Sequence, residues 1–103
     1  MSSKQPITQA ICVRRLKVLA DQTRLSVVQI LMNGPKHVGE LSALLDLDQS
    51  LLSHHLKVLR DADLVRSVRD GKAVLYSLAP SVKQAYDEYS LDLGCCSLSF
   101  NRK

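Results

Sequence analysis

The chain has 103 residues, with 14 Lys or Arg against 10 Asp or Glu, for a formal charge of +4. That length admits a single domain over residues 1–103 with one modest core, which commonly gains stability by pairing with a second copy. The positive surplus suits a polyanionic partner without proving one. Met1 to Pro6 lacks the apolar segment of a secretory signal and no run reaches the roughly 18 apolar residues of a membrane span, so the expectation is a cytoplasmic protein. In that compartment Cys12, Cys95 and Cys96 are expected to stay reduced rather than form a disulfide framework.

A first helix is expected from about Ile7 to Ala20, with Ile7, Ile11 and Val18 on one face. Asp21 then reads as the N-cap of a second, which carries Leu25, Val28 and Met32 and stops at Asn33-Gly34-Pro35. A short third helix holds Leu41, Leu44 and Leu45. Leu47-Asp48 reads as a staple residue and an N-cap for a fourth helix running to about Asp63, with Leu52 packing back on Leu47. Leu64 to Val68 and Ala73 to Leu78 flank Asp70-Gly71, a signal for a β-hairpin. Pro80 opens a fifth helix in which Val82, Tyr86, Tyr89 and Leu93 recur at three- and four-residue steps until Gly94, leaving a short cysteine-containing tail over 94–103. The fold class is therefore mainly α with a β-hairpin wing: four helices, the hairpin and a closing helix.

The fourth helix divides into two arcs at about 100° per residue. Gln49, Ser50, Ser53, His54, Lys57, Arg60 and Asp61 fall on one side, and Leu51, Leu52, His55, Leu56, Val58, Leu59 and Ala62 on the other. His54 thus points outward, whereas His55 sits in the apolar stripe, where a hydrogen-bonded core histidine is favoured over a ligand. A solvated helix face usually carries Glu and Lys in four-residue pairs. This one begins instead with short polar side chains able to approach base edges and phosphates, with Lys57 and Arg60 supplying charge further along. Preceded by a short helix and a tight connection, it has the helix-turn-helix arrangement. Arg66, Arg69 and Lys72 lie along the following hairpin, where a wing could touch the backbone or minor groove.

Taken together, several stretches resemble the ArsR/SmtB family of metal- and metalloid-responsive repressors. They are Val18-Leu19-Ala20-Asp21-Gln22-Thr23-Arg24-Leu25, Val38-Gly39-Glu40-Leu41, Gln49-Ser50-Leu51-Leu52-Ser53-His54-His55-Leu56-Lys57-Val58-Leu59-Arg60 with Leu64-Val65, and Asp70-Gly71-Lys72 through Tyr76-Ser77-Leu78. The resemblance implies a homodimer built from the first and last helices that binds double-stranded operator DNA and releases it on ligand binding. It also directs attention to the family's sensing sites. Members that sense through the third helix resemble Glu-Leu-Cys-Val-Cys-Asp, where this chain has Glu40-Leu41-Ser42-Ala43-Leu44-Leu45. Members that bind zinc on the last helix pair Asp with His, and Pro80 to Leu93 contains no histidine.

The remaining thiols are Cys95-Cys96 and Cys12, and three soft sulfurs match the number that trivalent arsenic or antimony takes. Cys12 can equally be a small buried apolar residue. An adjacent cysteine pair in a polar tail has no packing reason to be there. With no permanent cofactor expected, the readings are a repressor induced by trivalent arsenic, antimony or an organoarsenical, a thiol-based redox or persulfide sensor using the same cysteines, and a thiol metallochaperone that binds no DNA. No His-carboxylate set accompanies the cysteines and no phosphate-binding glycine loop is present, which speaks against an enzyme.

Overall fold

The computed structural model describes residues 9–84 and 89–101. In chain order the elements are α1 (Gln9–Leu19), α2 (Gln22–Leu31), β1 (Lys36–His37), α3 (Val38–Leu45), α4 (Gln49–Asp61), β2 (Val65–Asp70), β3 (Ala73–Leu78), β4 (Lys83–Gln84), β5 (Ser90–Asp92) and β6 (Ser97–Ser99). None of the described helices is long and apolar enough to cross a membrane.

Local chemistry accounts for the helix boundaries. Asp21 caps α2 as expected, its carboxylate accepting the Arg24 N–H at 2.9 Å. Glu40 reaches back from the first turn of α3 to accept the His37 N–H at 2.7 Å. Asp46 ends α3 in the left-handed region, at φ 54°, and the Leu47 N–H donates to the Ser42 carbonyl at 3.1 Å. Asp tolerates that conformation better than most side chains, and the result is a three-residue turn into α4 (46–48).

The core gathers Leu19, Val27, Val28, Leu31, Leu41, Leu52, Leu56 and Leu59 from the four helices and closes with Leu64, Val65 and Tyr76 from the hairpin. Burial of each large aliphatic side chain contributes about 1.5–3 kcal/mol. Two apolar residues expected inside are outside: Leu44 is 60% exposed and Leu51 is 48% exposed. Leu51 stands at the margin of the α4 stripe, roughly 100° from Leu52 on the helix, where no other element covers it. Ile11, on the expected inner face of α1, is exposed as well, and Ile7 lies outside the described residues.

In the hairpin, Asp70 pairs with Ala73, so the two loop residues are Gly71 and Lys72, one step beyond the expected turn. Gly71 has φ 66°, which the first loop position requires. Strand β1, not foreseen from the sequence, adds antiparallel to β3 and completes a sheet in the order β1-β3-β2.

The closing helix is corrected. Its described residues form a second antiparallel sheet in the order β4-β5-β6 instead. Tyr89, Leu91 and Leu93 alternate with Ser90 and Asp92, and Leu98 and Phe100 alternate with Ser97 and Ser99, which is strand periodicity. The Leu93 N–H donates to the Cys96 carbonyl at 2.8 Å across a turn whose Gly94 has φ 98°. Val82 and Leu93, expected to face a second subunit, are buried in this chain's own core. Tyr86 lies outside the described residues.

Candidate nucleic-acid interface and cysteine site

Every polar residue assigned to the outer arc of α4 is exposed: Gln49, Ser50, Ser53, His54, Lys57, Arg60 and Asp61. Buried Leu52, Leu56 and Leu59 press the opposite face into the core and fix which way the polar face looks. Within that face, the Ser50 hydroxyl donates to the Asp48 carboxylate, a bond that also holds the Asp48 carboxyl below the usual carboxylate range. Lys57 pairs with Asp61 at 3.1 Å, and Arg60 Nη1 lies 3.5 Å from the Ser67 Oγ, joining α4 to β2.

His55 is a core histidine, as its position in the stripe indicated. Its side chain is 14% exposed, its Nδ1 lies 3.1 Å from Arg24 Nη1 and 3.8 Å from the Asp21 carboxylate, and Arg24 Nε donates to the Val18 carbonyl at 2.7 Å. The start of α2, the end of α1 and the middle of α4 are thereby locked together. The Arg24 backbone N–H, more than any charge, keeps the Asp21 carboxyl below its ordinary pKa.

Arg66, Arg69 and Lys72 are exposed on the hairpin. Strand alternation places Arg69 on the face that Ser67 shares toward Arg60 and Arg66 on the other, so the three cations do not form one patch. His37 is a further feature that sequence reasoning missed. Its Nε2 meets the Asp70 carboxylate at 2.8 Å and its Nδ1 lies 3.2 Å from Glu40 Oε1, which ties the hairpin tip to the start of α3. The Asp70 contact, then Glu40, raises the His37 pKa. A Glu three residues after His37 was the available signal.

The third assembly joins both ends of the chain. The sulfur atoms of Cys12, Cys95 and Cys96 all lie within 4.8 Å of one another. Cys12, buried in α1, and Cys95 are joined as a disulfide with a Cα–Cα separation of 6.2 Å, and Cys96 remains a thiol 4.0 Å from Cys12 and 3.7 Å from Cys95. Uniformly reduced thiols were expected. The pairing arises because the Leu93–Cys96 turn packs on α1, bringing residues 83 positions apart within disulfide range.

A helix-turn-helix with an outward polar helix and a three-stranded wing defines a winged helix-turn-helix regulator of DNA. Residues 21–67 match the family model described as bacterial regulatory protein, arsR family. The chain is 40% identical over 74 residues to the HTH-type transcriptional regulator NmtR of Mycobacterium tuberculosis, covering 71% of this chain and 62% of that protein. It is 38% identical over 80 residues to the transcriptional activator HlyU of Vibrio cholerae, covering 78% and 74% respectively, and 38% identical over 71 residues to the arsenical resistance operon repressor of Escherichia coli, covering 68% and 61%. A solved HlyU structure superposes with a TM-score of 0.68 at 36% identity over 78% of this chain and 84% of that one. The chain belongs to the ArsR family of bacterial transcription regulators.

Proposed function

We propose that the protein is a homodimeric repressor that holds an operator through Gln49, Ser50, Ser53, His54, Lys57 and Arg60, with Arg66, Arg69 and Lys72 of the wing on the DNA backbone, and that releases it when a thiophilic inducer takes its cysteines. The observation that carries the inducer reading is the convergence of three sulfurs from opposite ends of the chain. Thiolates select soft ions. At metal–sulfur bonds of about 2.3 Å, three ligands around one centre stand up to about 4 Å apart, and the Cys96 distances of 4.0 and 3.7 Å suit that size once Cys12–Cys95 is reduced. The donor set is all sulfur, which favours trivalent arsenic or antimony over ions that need imidazole or carboxylate. One of the relatives is named for arsenical resistance.

A second reading has its own support in the Cys12–Cys95 bond. A peroxide would take two electrons and two protons from the two thiols, forming the S–S bond and leaving as water, and the operator would respond to the thiol state itself.

Titration of a fluorescent operator complex of the reduced protein with arsenite, antimonite and peroxide separates the two. Release by arsenite, lost in Cys95→Ser and Cys96→Ser proteins that still bind the operator, is the expected result, with Cys12→Ser having an equal or smaller effect. Release by peroxide alone selects the thiol switch. Arsenite release that survives replacement of both Cys95 and Cys96 excludes this cysteine site.

A further inference from the structure

Among the described residues, Arg15 carries the one buried side-chain nitrogen or oxygen without a hydrogen-bond partner, its Nε. The residue is 2% exposed and stands one helical turn after Cys12 on α1. Its guanidinium reaches three segments. Nη1 donates to the Leu93 carbonyl at 2.9 Å, and Nη2 donates to Ser81 Oγ at 2.9 Å while lying 3.5 Å from the Asp63 carbonyl and 3.6 Å from the Asp63 carboxylate. Ser81 closes the set, with its hydroxyl 2.9 Å from the same carboxylate.

We infer that Arg15 is the positioning residue through which the cysteine site acts on the recognition helix, an inference that rests on the thiol-inducer reading. Leu93 is the junction: its N–H is bonded to the Cys96 carbonyl at 2.8 Å, and its own carbonyl is the acceptor of Arg15. Any shift of the cysteine turn needed to gather three sulfurs therefore moves the acceptor of a buried cation. At the far end, Asp63 follows the C-cap of α4 in the left-handed region, at φ 57°, so the contact falls on the residue that sets where α4 ends and the path to β2 begins.

A buried charge that loses a partner must find another, because leaving it unpaired is strongly unfavourable. Two features give Arg15 a second arrangement. Nε has an unused donor, and the side chain borders a cavity of about 620 Å³ that Asp63, Ser81 and Gly94 also line. A packed element with two discrete hydrogen-bond sets is what coupling between two sites physically requires. Arg15 touches neither the proposed DNA face nor a sulfur in any recorded contact, so its removal should uncouple the two sites without emptying either.

The test uses the full-length protein, reduced, with operator affinity measured by fluorescence anisotropy with and without arsenite, and arsenite affinity measured separately on the DNA-free protein. The wild type should lose operator affinity on the order of tenfold or more with arsenite, within the usual range of allosteric coupling. Arg15→Gln and, independently, Ser81→Ala should keep both separate affinities within about threefold, while arsenite changes their operator affinity by less than about threefold. Ser81→Ala decides the matter if circular dichroism shows that Arg15→Gln does not fold. Wild-type coupling in Ser81→Ala and in folded Arg15→Gln overturns this inference alone. A wild-type complex that neither arsenite nor peroxide dissociates overturns the thiol-inducer reading and the inference with it.

Discussion

His37 and Ser50 show how single side chains set the DNA-facing surface. With its pKa raised by Asp70 and Glu40, His37 contributes its ion pairs fully below its unfolded pKa of about 6.5 and loses them as pH rises through the higher folded value. Glu40, held below its ordinary pKa chiefly by the His37 backbone N–H, remains a charged partner into mildly acidic solution. Amide exchange at Gly71 and Lys72 should therefore quicken as pH is raised from 6 to 8, after correction for intrinsic exchange rates, and His37→Gln should abolish that extra pH dependence. An identical corrected profile in both proteins would show that the tip is not tethered through this histidine. Ser50 is tied back to Asp48 here, so its contribution to an operator is as an acceptor or after release from that bond. Replacing Gln49 and Ser50 together by Ala should weaken operator binding by about 1–3 kcal/mol per lost base contact with unchanged thermal stability. Unaltered affinity would remove them from the reading surface.

At the level of the elements, α4 does two jobs whose energetics separate cleanly. Leu56 is fully buried, and Leu56→Ala should lower unfolding free energy by about 2–5 kcal/mol in urea denaturation. Leu51, three turns' worth of apolar pattern notwithstanding, is half exposed, so Leu51→Ala should stay within about 0.5 kcal/mol. A large loss at Leu51 would mean that α4 is rotated from the orientation described. The stripe itself was legible in the sequence, because a 3.6-residue period over 13 residues leaves little freedom in which side is buried. Its margins were not, since they depend on whether α2, α3 or the hairpin happens to reach the position.

For the whole molecule, the expected dimer now rests on a different surface. Val82 and Leu93 are consumed by the chain's own core, which leaves Ile11, Val13 and Leu16 of α1, each 39–46% exposed, as the apolar face that a second copy would cover. Sedimentation at micromolar concentration should show a dimer, and Ile11→Asp with Leu16→Asp should give a monomer with much weaker operator binding. A wild-type protein that sediments as a monomer while still holding the operator tightly would exclude this pairing.

The sequence by itself determined the helix-turn-helix, its polar face and the hairpin, because caps, periodicity and turn residues act over a few positions and leave few alternatives. It also marked Cys12, Cys95 and Cys96 as residues in need of an explanation. Tertiary structure alone decided the rest. Tyr89 and Leu93 fit a helical step of four and a strand step of two equally well, and the choice fell to the strand because 97–99 were available to pair with 90–92. The burial of Arg15, charged and unremarkable in the sequence, follows from contacts with Asp63, Ser81 and Leu93, 48 to 78 positions away. No local pattern encodes such contacts, since they form only when the core has already brought the two ends of the chain together.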